Sequence, residues 1–291
     1  MLEPGIVAAA AQRRYVNPRI AEGRPVRPAN LCWMGETRAP TLFLQCEDAI
    51  RKDVLITRES SRDKEFAVQD WVQARLDDAG LSYEESGRNT YPDFPLTGDP
   101  PEGFEVKSLA YPGRDASYDA NSQPPCGVHG GRTVFYVFVR YPRDGGNRYP
   151  VYDLVICHGD FLNPARDYEH VNDNVPNFGV YGDIMIRDRK MYVVRTPYAI
   201  AEGLAGQRTL VLPSGWAVPD SFKPVGAIER READEVAVGY EFDLKASQLH
   251  VISEQNPTAG KVHIFRAYRP EDGTDDPVVL AALPTRRRRR T

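Results

Sequence analysis

Seven consecutive residues, Thr133-Val134-Phe135-Tyr136-Val137-Phe138-Val139, are β-branched or aromatic at both alternating sets of positions. A strand with one face in water alternates apolar with polar residues, so this run predicts a strand inside a sheet that is covered on both faces. A chain built around such a strand is a layered protein of the α/β or α+β class. With 291 residues and 41% hydrophobic side chains it can bury a core of that kind, and 27% charged residues exclude a disordered or collagen-like chain. The longest apolar stretches, Ile6–Ala11 and Val134–Val139, fall far short of the roughly 18 residues that span a bilayer, and no basic segment precedes the first. The expectation is an untargeted cytoplasmic protein without a membrane partner.

The net charge of −4 conceals an asymmetry, because five of the 37 basic residues form one run, Arg286–Arg290. Without that run 32 basic side chains face 41 acidic ones, a net of −9. An acidic body argues against coating nucleic acid indiscriminately but leaves room for a local basic cleft; the arginine run reads as a solvated tail with non-specific attraction for phosphate. Four cysteines, Cys32, Cys46, Cys126 and Cys157, are too sparse for a disulfide scaffold, so reduced thiols are expected. Cys126-x-x-His129 followed by Cys157-His158 has a metal-like look, but adjacent ligands in the second half fit a tetrahedral zinc site poorly.

Along the chain, residues 1–55 carry Pro4, Pro18, Pro25, Pro28 and Pro40 with little periodicity and read as an arm or cap. A helix is expected from about Ser61, with Val68, Val72, Leu76 and Ala79 on one stripe, Trp71 at its edge and Gly80 at the C-terminal cap. Tyr91–Phe94, a Pro/Gly turn and Phe104–Leu109 read as strand, turn, strand. Tyr111–Arg132 reads as a loop, followed by the covered strand and by further strands at Pro150–Cys157 and Lys190–Arg195. Beyond about residue 205 come Pro-punctuated β segments, Val236–Phe242, Leu249–Ser253 and Lys261–Tyr268, the last two a possible hairpin. The expected organisation is an arm at 1–55, a core at 56–205 and a β-rich subdomain with a basic tail at 206–291.

The chemistry is concentrated in Pro92-Asp93, eleven intervening residues, then Glu105-Val106-Lys107. Residues i and i+2 of a strand share a face roughly 6.6 Å apart, so Glu105 and Lys107 project together while Val106 turns into the core. A return strand brings Asp93 alongside, with the Val106 carbonyl within reach. Two adjacent carboxylates repel each other, and a divalent cation with hard oxygen ligands relieves them. Mg²⁺ held by Asp93, Glu105 and the Val106 carbonyl suits phosphodiester hydrolysis, with Lys107 orienting the attacking water or stabilising developing negative charge. The chain has only seven Lys against 30 Arg, so a lysine here points to a need for a compact ammonium.

The pattern has decoys in Asp188-Arg189-Lys190 and in Pro219-Asp220 with Asp243-Leu244-Lys245, but only the first match follows a capped amphipathic helix and precedes the covered strand. On that helix, at roughly 100° per residue, Glu65 falls on the buried stripe, Asp70 on the solvated face and Gln69 at the stripe's edge. A buried glutamate needs a cation or hydrogen-bond donors nearby.

Over about residues 60–195 these features resemble the PD-(D/E)XK nuclease superfamily, specifically type II restriction endonucleases, on Asp93, Glu105, Lys107 and the helix-borne Glu65. The resemblance implies a restriction-endonuclease-like core with a mixed central sheet flanked by helices. It further implies Mg²⁺-dependent cleavage of double-stranded DNA, Glu65 as an accessory acidic group near the metal, and a homodimer. The loop after the site carries Arg114, Asn121, Ser122, Gln123, His129 and Arg132, side-chain types that read base edges or hold phosphate. Alternatives of the same chemistry are a repair or junction-resolving nuclease; one of a different class is a DNA-binding module that does not cut, and another a structural β-rich protein with an accidental match.

Overall fold

The computed structural model describes residues 37–59, 66–84, 90–113, 116–121, 124–143, 146–164, 179–188, 191–201 and 208–273. In chain order the elements are α1 (Ala39–Arg51), β1 (Ile56–Thr57), α2 (Phe66–Asp78), β2 (Phe94–Pro95), β3 (Glu102–Tyr111), β4 (Ser117–Asn121), β5 (Val128–His129) and β6 (Arg132–Pro142). There follow β7 (Arg148–Tyr149), β8 (Asp153–His158), β9 (Ile184–Asp188), β10 (Met191–Arg195) and α3 (Pro197–Ile200). The last are β11 (Thr209–Pro213), β12 (Phe222–Arg231), β13 (Glu235–Asp243), β14 (Gln248–Gln255) and β15 (Val262–Pro270).

The covered strand is β6, and it lies inside a mixed sheet ordered β12-β15-β11-β8-β6-β3-β2, with β5 also paired to β6. The β3–β6 and β8–β11 pairs are parallel and the other pairs antiparallel. Alternation along β6 divides the interior in two. Phe135, Val137 and Val139 face a core shared with Leu42, Phe43 and Cys46 of α1 and Val68, Val72 and Leu76 of α2. Val134, Tyr136 and Phe138 face a second core, closed by Tyr118 and Ala120 of β4 and Tyr192 and Val194 of β10. The molecule is thus layered, with helices on one face of the main sheet and the small sheet β4-β10-β9 on the other. This is a mixed-sheet α+β arrangement with few helices.

Helix α2 ends where the sequence places its stop, with Gly80 at φ +66°, the left-handed backbone that a residue without a β-carbon adopts freely. Its buried stripe is wider than Val68, Val72 and Leu76. It includes Trp71, whose indole donates to the Val54 carbonyl at 3.0 Å, and Arg75, whose guanidinium pairs with Asp78 at 2.8 Å.

Four features differ from the expectations. Residues 39–51 are a helix rather than part of an arm: Pro40 sits in the first turn, where a missing N–H is harmless, and Leu42, Phe43, Cys46, Ala49 and Ile50 recur at helical spacing on a buried face. The stretch 111–132 is not all loop, since Ser117–Asn121 pairs with β10. Leu249–Ser253 pairs with β13 and not with β15, because Asp243 closes a tight turn by accepting from the Lys245 and Ala246 amides. β15 instead pairs with β11 and β12, so strands beyond residue 205 continue the main sheet. Among the described residues no helix is long and apolar enough to cross a membrane.

Candidate active site

The short β2–β3 pairing aligns Phe94 with Phe104 and Pro95 with Gly103, which puts Asp93 beside Glu105 at the edge of the sheet. Two contacts tie Asp93 to β3. The Asp93 amide donates to Glu105 Oε2 at 3.1 Å, and Asp93 Oδ2 accepts from the Val106 amide at 2.8 Å. A strand residue's N–H and C=O face the same edge, so the Val106 carbonyl is turned toward Asp93 as well. Lys107 Nζ donates to Glu105 Oε1 at 2.6 Å, with the lysine side chain 23% exposed and the glutamate 10%. The sheet's alternation sorts these residues: Val106 and Phe104 enter the core under the helices, while Leu109, on the same alternation as Glu105 and Lys107, faces the other layer.

The turn that joins β2 to β3 is held from two sides. Arg38 donates to Glu102 Oε2 at 3.0 Å, to the Thr97 carbonyl at 2.7 Å and to the Pro100 carbonyl, while Arg132 donates to the Leu96 carbonyl at 2.6 Å and to Glu84 at 2.6 Å. Glycine is required at 103, because a β-carbon there would stand 2.4 Å from Pro92 Cγ and 3.1 Å from the Phe94 carbonyl. Pro92 could approach β3 this closely over no other residue, and Asp93 follows directly.

The electrostatics are those of two crowded carboxylates. Burial, then the Glu105 charge, push the Asp93 carboxyl up to about 7 against the opposing pull of Lys107, the Val106 amide and a hydrogen bond from the Gln69 side chain. One ammonium therefore does not fully compensate the pair. Two carboxylates and a backbone carbonyl are hard oxygen donors of the sort that hold Mg²⁺, an ion that commonly takes one or two carboxylates and keeps waters in its remaining positions. Among the described residues there is no group of three or more His, Cys, Asp or Glu side chains placed to hold a metal ion. A cation here would rest on the two carboxylates, the Val106 carbonyl and non-protein oxygen.

Of the residues singled out in the sequence, Asp93, Glu105, Val106 and Lys107 come together. His129 lies against Tyr91, its ring edge-on at 4.9 Å between centroids. Arg132 stands at the start of β6, four residues before the Tyr136 that neighbours Glu105, roughly 13 Å along the strand, with its guanidinium on the turn. The backbone of Asn121 ends β4, opposite Met191. Glu65, Arg114, Ser122, Gln123 and the side chain of Asn121 lie outside the described residues, as do Arg286–Arg290.

The decoys separate from this arrangement. Asp243 is an exposed turn residue whose carboxylate accepts from two backbone amides, and Asp220 is exposed in a turn. Arg189 and Lys190 fall outside the described residues. Cys126 and Cys157 are buried and in no disulfide among the described residues; His158 is buried between Phe135 and Trp216, and burial lowers its pKa. Two neighbours of the site, Gln69 and Tyr91, carry no functional signal in the sequence. Gln69 was visible only as a residue at the stripe's edge, and Tyr91 as the residue before the Pro-Asp pair.

Comparison of the chain with family models, with curated proteins and with solved structures finds no match.

Proposed function

We propose that the chain is a Mg²⁺-dependent endonuclease of the type II restriction class, hydrolysing phosphodiesters in both strands of DNA at a specific sequence. The placement of Asp93 beside Glu105 carries this reading: the Asp93 amide donates to Glu105, the Val106 amide donates to Asp93, and Lys107 donates to Glu105, so two carboxylates and one amine share a sheet edge. Mg²⁺ bound there would supply a water of lowered pKa and positive charge against the scissile phosphate. Asp93 and Glu105 would hold the ion with the Val106 carbonyl. Lys107 presents a compact ammonium that orients the water or meets charge developing on the phosphoryl oxygens. Gln69 and the Val106 amide fix the rotamer of Asp93. Cutting both strands of a palindromic site calls for a two-fold dimer, each copy contributing one such centre.

The test is incubation of the purified chain with plasmid and phage DNA in Mg²⁺, followed by electrophoresis. The reading predicts discrete fragments that vanish with chelator. A smear would transfer the chain to unselective nucleases, and DNA left intact but retarded on a native gel would make it a binding module.

A further inference from the structure

A tyrosine pair lies across the buried side of Glu105. Tyr136 is the register partner of Glu105 in the parallel β3–β6 ladder, and Tyr136 is 2% exposed. Tyr91, two residues before Asp93, places its hydroxyl 2.6 Å from that of Tyr136 and 3.5 Å from Cys126 Sγ, and His129 closes on its ring from the edge. The segment bearing Asp93 is thereby tied to β6 across β3, over the residue whose carboxylate Asp93 must meet. With Val106 holding the Asp93 carboxylate and Gly103 admitting Pro92, this is a third constraint, and it acts upstream of Asp93.

We propose that Tyr91, through its hydroxyl bond to Tyr136, is a positioning residue that sets the separation of the Asp93 and Glu105 carboxylates and hence the fit of the metal between them. The proposal rests on the nuclease reading and adds residues to it. Neither tyrosine touches substrate; each acts through where Asp93 stands. A displacement of order 1 Å in such a group can cost about a hundredfold in rate.

The experiment uses the full chain as wild type, Tyr91→Phe, Tyr136→Phe and the double variant, with Tyr149→Phe as a control. Tyr149 accepts a hydrogen bond from Arg58 at 2.9 Å in the core under the helices. Mn²⁺ binding is read directly by electron paramagnetic resonance, and plasmid cleavage gives kcat and KM. Each single variant is expected to lose about 10- to 100-fold in kcat with KM for DNA within about twofold, and to weaken Mn²⁺ binding several-fold. The double variant should be no worse than either single one, because both remove the same bond. The control should bind Mn²⁺ as wild type does even where its melting temperature falls. Wild-type Mn²⁺ affinity and kcat in either tyrosine variant would overturn the proposal, as would losses that multiply in the double variant or equal weakening in the control. Should one variant fail to fold, the other decides by the same readouts. A wild-type chain that neither binds Mn²⁺ nor cuts overturns the nuclease reading itself, and the proposal falls with it.

Discussion

Asp93 carries the most informative charge in the molecule. Its carboxyl is pushed up to about 7 by burial and by Glu105, so its folded-state value lies above its unfolded one. The sign follows from linkage: the stability this group contributes is fully present below about 4 and is lost as pH rises through about 7, where folding must hold an ionised carboxylate beside another. Asp93→Asn keeps an oxygen to accept from the Val106 amide and removes the charge. In the absence of divalent cations it is expected to melt higher than wild type at pH 8, by a difference on the order of a few kcal/mol, and to converge with wild type near pH 4. Melting curves across that range check it, and a variant less stable than wild type at pH 8 would contradict the crowding described. The triad itself was legible, because period-2 alternation needs no tertiary knowledge to put Glu105 and Lys107 on one face. The flanking residues were not: a lone tyrosine before a proline, and a glutamine at the margin of a stripe, acquire meaning only when β6 and α2 are in place.

At the scale of elements, the β2–β3 hairpin is what brings the two halves of the motif together. Strand β2 has only two residues, so its position depends on Pro92 packing over Gly103 and on the guanidinium groups of Arg38 and Arg132 bound to the turn carbonyls. Gly103→Ala places a methyl group inside the proline ring's contact distance and must displace the hairpin. The expected outcome is a stability loss of about 1–3 kcal/mol with DNA cleavage reduced well beyond that loss, measured by denaturant unfolding and cleavage at one temperature. Cleavage at the wild-type rate would mean that Asp93 does not need this approach. Helix α2 and strand β6 could be read from sequence because each carries its own periodicity and α2 its own stop. Helix α1 was hidden by Pro40, whose role depends on whether it opens a helix or interrupts one. Strand β4 was hidden because its Ser-Tyr-Asp-Ala-Asn sequence becomes a strand only against β10, about seventy residues further on.

At the scale of the whole molecule, one sheet runs from the candidate site to the C-terminal strands. Strand β8 pairs with β6 on one side and β11 on the other, and Leu210, Phe222 and Tyr268 fill the core that α1 and α2 cover. A chain ended at residue 205 would expose that edge and remove Leu210, Leu212, Phe222 and Tyr268 from the core. It is expected to lack a cooperative thermal transition, as followed by circular dichroism, whereas a sharp melt would restore the boundary that the change in sequence texture near 205 suggested. The two covered faces of the sheet followed from one apolar strand; the order of its neighbours did not, since Pro-punctuated segments pair at long range. The function proposed for this scaffold depends on the two carboxylates and the amine acting as one centre. The decisive measurement is the single-turnover cleavage rate of plasmid DNA in Mg²⁺ for wild type, Asp93→Ala, Glu105→Gln and Lys107→Ala, with DNA affinity determined in Ca²⁺. The account predicts cutting by the wild type, losses of about a hundred- to a thousandfold in all three variants, and binding within a few-fold of wild type. Full activity in the Lys107 variant, or a wild type that leaves DNA whole, would contradict it.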